Sequence, residues 1–473
     1  MLKTWDIFDT LIARRCIASV NVFKIMEQVT KIAGFTNVRL FAERNLINRG
    51  ENYTLDDIYT ELNNIFELTE SSCKILKEIE CQTEIEQAIP ITENILQVKS
   101  GDILISDMYL PEKIIRKMLE KCGLIVPVEI VITSNGKSSG RIWKQIAAQN
   151  QFVFHIGDNE ISDIKTSRDA GFDSAVTTLS SANGLENFLL YKDFYFAAYL
   201  RELRLKNPYK AEMKRLYWQY FTLNAGILIM LVQLIDDFQK KYDFEYLGFC
   251  GRDTYYLWHL YKKFKEDKNE TPTDNDYLYY SRKLVYNSKN EMIKYFSSKI
   301  GNKKAMMIDL GGTGTRLRKL RAESNLKYSI LLCFNYSTQK IEDWTPVLNS
   351  FRFYSERDND LYFINRFIDT LEFLNRATHN TPIKLNTVQI AEKIIPSVVF
   401  SEISDTENLD VIENFLKETL KNQVNWGGSG VNALENLQQL SDFVIQWGRP
   451  LISNNRHYIN EVMDEKFTHT KKI

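Results

Sequence analysis

The sequence predicts an α/β protein with two parallel-sheet, Rossmann-like domains, the first interrupted by a helical cap insertion. Three observations support this fold class. Strand-like runs alternate with helical segments in both halves of the 473-residue chain, the spacing is helical throughout from about Val20 to Gln97, and a helical, aromatic-rich stretch at about 185–240 joins the halves. We place the domain boundary after residue 190, so that residues 191–473 hold the second domain and a C-terminal accessory region.

The first half opens with an apolar run at residues 3–12, which predicts a buried strand containing Asp6 and Asp9. After the helical insertion, strand-like runs return at regular intervals, each followed by a helical segment: DILISD, VEIVITS, FVFHIGD and SAVTT. Strands that alternate with helices are typical of a doubly wound parallel sheet.

A second series of strands and helices begins near residue 244, with the runs FEYLGFCGRD, DYLYYSRK, KAMMIDLGGTGT and YSILLCFNYS. The most apolar segment, Phe221 to Ile235, precedes this series. It is short for a membrane span, which needs about 20 residues, and so predicts a buried core helix. Beyond residue 350 the pattern is mixed and predicts no particular architecture.

Composition restricts the function. With 60 Lys and Arg against 61 Asp and Glu, the formal net charge is −1, so no basic field favours nucleic-acid binding. Local basic residues such as Arg316, Arg318, Lys319 and Arg321 are candidate anion contacts. The six cysteines form no CxxC pair and no secretory signal precedes them, which predicts free thiols and a cytoplasmic protein.

Charged and polar side chains follow the strands of the first half. In an open parallel sheet, ligands bind at the carboxyl ends of the strands, so we expect these side chains to meet there. They are Asp6 and Asp9, Ser106 and Asp107, Lys137, and Asp158 and Asp163.

The segments DIFDTL, ISDMYLP, the downstream Lys137 and GDNEISD resemble, in order, the four motifs of the haloacid dehalogenase superfamily. The resemblance covers about residues 1–180 and implies that the first domain, residues 1–190, is a phosphatase with its cap at about 15–95. It implies that Asp6 is the nucleophile, that Ser106 binds the phosphoryl oxygens and that Lys137 offsets their charge. It also implies Mg²⁺ as the cofactor, held by Asp6, Asp158 and Asp163.

One position departs from the family pattern. Most phosphatases of this superfamily carry an aspartate two residues after the nucleophile as general acid and base, whereas this chain has Phe8 there and Asp9 one residue later. Either Asp9 or another group such as Asp107 is the acid, or the reaction is not a phosphatase reaction.

The second half contains a turn suited to a phosphate. Asp309 ends an apolar strand, and a glycine- and threonine-rich turn then opens a helix. Glycines let backbone N–H groups approach an anion, although such a turn alone is weak evidence. The turn comprises Gly311, Gly312, Thr313, Gly314 and Thr315. Two upstream groups accompany it: Gly251, Arg252 and Asp253 after one strand, and Ser281, Arg282 and Lys283 after the next.

This order resembles the type I phosphoribosyltransferases over residues 240–340. The resemblance implies a pyrophosphate and Mg²⁺ site at Gly251–Asp253, stabilisation of the departing charge by Arg282 and Lys283, ribose binding by Asp309, and a 5-phosphate loop at 311–315. The chain departs from the family in having a single acid before a shorter loop. Sugar-nucleotide binding by a generic Rossmann-like domain is the competing interpretation.

As a whole, the chain resembles bifunctional bacterial enzymes that install ribofuranose in capsule or O-antigen polysaccharides. The resemblance implies phosphoribosyl pyrophosphate as donor and a glycan or lipid-linked glycan as acceptor, a role compatible with peripheral association with the inner face of the membrane. Asp253 and Glu372 are the candidate general bases. Two alternatives remain: a phosphatase with a non-catalytic glycan- or nucleotide-binding module, and a salvage phosphatase with a regulatory second half. Trp426 and Trp447 are candidate sugar-stacking residues, although such residues more often belong to a core.

Overall fold

The computed structural model describes residues 2–50, 52–66, 68–150, 152–190, 194–208, 224–336, 347–349, 352–353, 371–372, 374–375, 377, 379–390 and 393–401. The chain divides into two compact units, Met1–Arg215 and Leu216–Ile473. The predicted boundary after residue 190 precedes the last described helix of the first unit, Phe194–Leu205.

The first unit contains seven described strands: β1 (Leu2–Asp6), β2 (Ile12–Arg14), β3 (Ala88–Pro90), β4 (Ile103–Asp107), β5 (Glu129–Thr133), β6 (Val153–Gly157) and β7 (Asp173–Val176). Its described helices are α1 (Ser19–Thr30), α2 (Phe35–Arg49), α3 (Leu55–Phe66), α4 (Glu70–Gln87), α5 (Thr92–Ile95), α6 (Glu112–Lys121), α7 (Arg141–Gln149), a π-helix (Glu160–Lys165), α8 (Thr166–Asp169), α9 (Gly184–Leu190) and α10 (Phe194–Leu205).

Five of these strands form a parallel sheet in the order β5-β4-β1-β6-β7, which confirms the predicted fold class for this unit. Strand β1 is central, with Asp6 opposite Ile105 of β4 and Trp5 opposite Ile156 of β6. The carboxyl ends of β1, β4, β5 and β6 therefore lie at one edge, where ligands bind in open parallel sheets.

The helical insertion lies between β2 and β3, which pair as a short antiparallel ladder. Helices α1 to α4 occupy it, within the predicted range 15–95. Helix α3 shows why the segment folds so, because Leu55, Ile58, Tyr59 and Leu62 recur at helical spacing and are all buried.

The strand predicted at residues 3–12 is shorter in the structure. Strand β1 ends at Asp6, and β2 starts only at Ile12. Between them Asp9 adopts a left-handed conformation (φ 59°), and its N–H donates to the Ile12 carbonyl at 2.6 Å. Because an extended strand has negative φ, the prediction of one continuous strand was wrong here.

The second unit contains eight described strands: β8 (Tyr246–Cys250), β9 (Asp274–Leu278), β10 (Ala305–Gly312), β11 (Tyr328–Tyr336), β12 (Val347–Asn349), β13 (Arg352–Phe353), β14 (Pro382–Ile390) and β15 (Lys393–Phe400). Its described helices are α11 (Ala225–Tyr242), a 3₁₀ turn (Arg252–Thr254), α12 (Tyr255–Asp267), α13 (Arg282–Asn287), α14 (Lys289–Ile300) and α15 (Thr315–Ala322).

Strands of this unit form a second parallel sheet in the order β12-β11-β10-β8-β9, with β13 also paired to β11. Strands β14 and β15 form a separate antiparallel hairpin that the sequence did not predict. Helix α11 begins inside the most apolar run and is buried from Ala225 to Val232, as expected for a core helix. Among the described helices, none has the length and apolarity to cross a membrane.

Candidate functional site

Three carboxylates meet at the carboxyl edge of the first sheet. Asp6 ends β1, Asp158 follows β6, and Asp163 lies in the π-helix. Each offers a ligand atom, and these atoms lie within 4.8 Å of one another, so the cluster could hold a metal ion. Asp6 Oδ2 is buried and has no hydrogen-bond partner among the described residues, which fits a position that a cation would occupy. An all-oxygen ligand set suits a hard divalent cation.

The turn after β6 holds Asp163 in place. The Asn159 side chain accepts hydrogen bonds from Ile161 N (2.9 Å) and Ser162 N (3.0 Å), which starts the π-helix. Asp163 Oδ2 in turn accepts from Asn159 N at 3.0 Å. A Cβ atom on Gly157 would overlap the Asp163 carboxyl group, so only glycine allows this close approach.

Lys137 bridges two of the carboxylates. Its Nζ lies 2.5 Å from Asp6 Oδ1 and also forms an ion pair with Asp163, while the residue is only 3% exposed. The lysine backbone is held by Asp107, which accepts from Lys137 N (2.9 Å) and from Ser138 N (3.1 Å). Asp107 therefore anchors the lysine turn, and its oxygens are occupied by that role.

Burial and mutual charge shift the pKa values of the three carboxyl groups in this cluster. Burial, together with the charges of Asp163 and Asp158, raises the pKa of Asp6 to about 7 despite Lys137. Burial and the charges of Asp9 and Asp163 raise the pKa of Asp158 to about 6. Burial also disfavours the charge on Asp163, but contacts with His155 and Lys137 outweigh it and lower its pKa to about 2. The site therefore concentrates negative charge that a cation would relieve.

His155 contacts this site, which the sequence did not reveal. The residue is fully buried. Its Nδ1 lies 2.9 Å from Thr4 Oγ1, and its Nε2 lies 3.5 Å from Asp163 Oδ1. Burial lowers the pKa of His155. A signal existed, because His155 and Gly157 are two residues apart on one strand and thus share a face.

Asp9 forms an ion pair with a residue far along the chain. Arg201 Nη2 of α10 lies 3.3 Å from Asp9 Oδ1, and Arg201 also donates to the carbonyls of Ser180 (2.8 Å) and Arg14 (2.9 Å). Burial raises the pKa of Asp9 against the opposing charges of Arg201 and Arg14. Its side chain remains 36% exposed and lies close enough to Asp158 to raise the pKa of that residue. Nothing in the local sequence of α10 points to this contact.

Two further positions complete this edge. Ser106 is buried near the end of β4, one residue beyond the pair formed by Ile105 and Asp6. At Phe8, where the family pattern has an acid, the ring instead packs under Arg14, whose Cζ lies 4.4 Å from the ring centroid. Of the two acid candidates, Asp9 acts electrostatically on Asp158, whereas Asp107 holds the backbone of Lys137 and Ser138.

The second unit gathers carboxylates at the equivalent edge of its sheet. Asp309 in β10 is half-buried, and this burial together with the charges of Asp253 and Glu372 raises its pKa well above the ordinary range, while Arg316 opposes the shift. Asp253 lies in the 3₁₀ turn after β8, the strand that neighbours β10. The charges of two other acids singled out in the sequence, Asp253 and Glu372, therefore act on Asp309.

The predicted phosphate loop is shorter than its sequence pattern suggested. Gly311 and Gly312 still belong to β10 and pair with Phe334 and Asn335 of β11. Only Thr313 and Gly314 connect the strand to α15, which begins at Thr315. Gly314 has φ 63°, a conformation that favours glycine.

The remaining predicted positions of this unit lie in or next to the turns that follow β8 and β9. Gly251 has φ 93° and precedes the turn that contains Arg252. Strand β9 ends at Leu278, earlier than predicted, and Ser281 Oγ caps α13 by accepting from Leu284 N at 3.1 Å. Arg282 and Lys283 therefore start a helix rather than end a strand. Trp426 and Trp447 lie outside the described residues.

Neither sequence comparison identifies a relative: no protein-family model matches the chain, and a search of curated proteins finds no match.

Proposed function

We propose that the first unit is a Mg²⁺-dependent phosphomonoesterase that acts through an aspartyl-phosphate on Asp6. The observation that carries this proposal is the cluster of Asp6, Asp158 and Asp163 with Lys137 between two of its members. A nucleophilic carboxylate beside a cation and further acidic ligands suits an anionic phosphoryl group. The motif resemblance points to the same chemistry.

In the proposed first step, an Asp6 oxygen attacks phosphorus and the bond from phosphorus to the ester oxygen breaks. The departing oxygen takes a proton from Asp9, whose raised pKa suits a general acid. In the second step, water attacks phosphorus, Asp9 accepts its proton, and the aspartyl bond breaks to release phosphate and free Asp6. Lys137 and Ser106 hold the phosphoryl oxygens. Bound Mg²⁺ would supply charge neutralisation, with Asp6, Asp158 and Asp163 as its protein ligands.

For the whole chain we propose ribofuranose addition to a bacterial surface glycan in two steps. The second unit would transfer ribose 5-phosphate from phosphoribosyl pyrophosphate to a glycan hydroxyl with inversion, which releases pyrophosphate. The first unit would then remove the 5-phosphate. Support comes from the electrostatic coupling of Asp253, Asp309 and Glu372, with Arg316 opposing it. Asp253 or Glu372 would accept the proton of the acceptor hydroxyl.

One incubation tests this sequence of reactions. The full chain is mixed with Mg²⁺, phosphoribosyl pyrophosphate and a panel of glycosides, and the release of pyrophosphate and of phosphate is followed over time. We expect glycoside-dependent pyrophosphate release first and phosphate release after it. Phosphate release from phosphomonoesters without any pyrophosphate would instead favour a phosphatase with a binding module. Absence of both products would contradict the proposal.

A further inference from the structure

A cavity of about 720 Å³ opens along helix α15 of the second unit. Nine described residues line it: Thr315, Arg318, Lys319, Arg321, Ala322, Ser324, Asn325, Leu326 and Lys327. Its volume is within the range of about 300–1,000 Å³ that is usual for small-ligand sites. The cavity is therefore large enough for a compact ligand rather than for a single ion.

The lining is strongly cationic. Of the described lining residues, four carry a positive charge, at Arg318, Lys319, Arg321 and Lys327, and none is acidic. The nearest acid in sequence is Glu323, which already forms an ion pair with Lys289. Its Oε1 also lies 3.8 Å from Lys319 Nζ. Four cations around one concavity repel one another, and an anion in the cavity would relieve this repulsion.

Helix stabilisation explains only part of this charge. Lys319 and Arg321 lie in the last turn of α15, where cations interact favourably with the helix dipole. Arg318 lies one residue earlier, and Lys327 lies beyond the helix, immediately before β11 begins at Tyr328. Among the ion pairs of the described residues, none involves Arg321 or Lys327. Their convergence on one cavity needs another explanation.

We propose that this cavity binds a second anionic ligand, one that carries a phosphate or diphosphate group. Arginine guanidinium groups match phosphate oxygens with two parallel hydrogen bonds, and lysine adds point charge. The cavity is distinct from the proposed donor site because its lining includes neither the turn at Gly251–Asp253 nor Asp309. Only Thr315 is shared with the predicted phosphate loop. The ligand is therefore an additional one, beyond the proposed donor.

The test uses inorganic pyrophosphate as the probe, with the full chain in the presence of chelator, so that magnesium-dependent binding elsewhere is suppressed. Affinity is measured by calorimetry for the unchanged protein and for the double variant Arg321→Gln and Lys327→Gln. The control double variant, Lys299→Gln and Lys303→Gln, removes the same charge from the same unit. Those lysines pair with Asp276 and Asp274 and do not line the cavity.

We expect the cavity variant to bind pyrophosphate at least about tenfold more weakly, with the control within about twofold of the unchanged protein. Thermal melting checks that both variants fold. Equal affinity in all three proteins, or no saturable binding by the unchanged protein to pyrophosphate or to anionic vesicles, would overturn the proposal.

A vesicle arm distinguishes the two sources of such a group. Co-sedimentation compares vesicles of phosphatidylcholine alone with vesicles that also contain phosphatidic acid. Retention on the anionic vesicles that is lost in the cavity variant assigns the site to a lipid headgroup. Binding of pyrophosphate without retention on vesicles assigns it to a soluble phosphate ester. Retention that is equal in the unchanged protein and the cavity variant, with equal pyrophosphate affinity, would contradict the assignment.

Discussion

Asp9 is the acidic residue whose position differs from that of the general acid in the family pattern. In the sequence it stands one place beyond the usual acid, and a left-handed backbone with φ 59° turns the chain there. Arg201 binds its carboxylate at 3.3 Å, and burial raises its pKa. The carboxyl group is thereby oriented, and its pKa is shifted in the direction that a general acid requires.

The first prediction follows from this role. Asp9→Asn should lower kcat/KM for an alkyl phosphate by about a hundredfold or more, because a poor leaving group needs a proton. The kcat/KM for p-nitrophenyl phosphate, whose leaving group needs little protonation, should fall by less than about tenfold, because this ratio does not include the later hydrolysis step in which Asp9 is the base. Steady-state kinetics with both substrates measure the difference. The matched variant Asp107→Asn should lower both rates equally, since Asp107 anchors Lys137. An equal loss for both substrates in Asp9→Asn would show that Asp9 is not the acid.

For single residues, the sequence predicts which side chains lie at the edge of the sheet when those residues end a strand or follow one. Asp6, Ser106, Lys137 and Asp158 were predictable because sheet topology brings strand ends together. Arg201 was not, because its contact with Asp9 depends on how a distant helix packs.

Two of the three arginines of helix α2 lie in contrasting environments. Arg39 is fully buried, and its guanidinium binds Glu80 of α4 through Nε (2.9 Å) and Nη2 (2.7 Å). Tyr59 of α3 also donates to Glu80, at 2.9 Å. Arg49 is the last residue of the same helix, and its Nη2 lies 2.8 Å from Glu61 Oε2. In contrast to Arg39, its side chain is 57% exposed. The insertion is thus held together by an ion pair that water does not reach.

This contrast gives the second prediction. Arg39→Met should lower the free energy of unfolding by about 3–5 kcal/mol, because Glu80 is left charged and buried without its cation. Arg49→Met should cost at most about 1 kcal/mol, since an exposed ion pair is weak. Chemical denaturation of both variants provides the comparison. Similar losses in the two variants would mean that the insertion does not depend on the buried pair.

Strands and helices were predictable from the sequence where apolar runs and helical segments alternate at regular intervals. The four strands after the insertion follow one another with intervening helices, and all four are present. The hairpin of β14 and β15 was not predictable, because Pro382 and Pro396 lie within its strands and the connecting residues Ala391 and Glu392 include no glycine.

In the first unit as a whole, the carboxyl groups proposed to bind a metal ion are also groups that hold protons with raised pKa values. Asp6 and Asp158 have raised pKa values of about 7 and about 6 in the metal-free protein. A carboxyl group with a raised folded-state pKa holds a proton that the unfolded chain has already lost. These two groups therefore make the metal-free protein less stable as the pH rises from about 4 to 7.

The third prediction is that metal binding has the opposite dependence. A cation must displace the protons on Asp6 and Asp158, so its affinity should rise by up to about tenfold per pH unit for each proton displaced. The rise should level off above about pH 7, where both groups are ionised. Calorimetric titration with Mg²⁺ across pH 5.5 to 8 measures the slope, and Asp158→Asn should reduce it. An affinity that does not change over this range would contradict the proposed ligand set.

The most direct test of the central claim is phosphate release by the full chain with Asp6 replaced. With Mg²⁺ and a phosphomonoester substrate, Asp6→Asn should release phosphate at least about a thousandfold more slowly, because the attacking carboxylate is lost. Asp102→Asn serves as the matched control, since Asp102 is also buried in this unit but its carboxylate accepts hydrogen bonds from Trp5 Nε1 and the Lys99 amide, away from the cluster of Asp6, Asp158 and Asp163. Mass spectrometry should detect a phosphorylated Asp6 in the unchanged protein and in the control variant. Undiminished phosphate release by a folded Asp6→Asn variant would contradict the account.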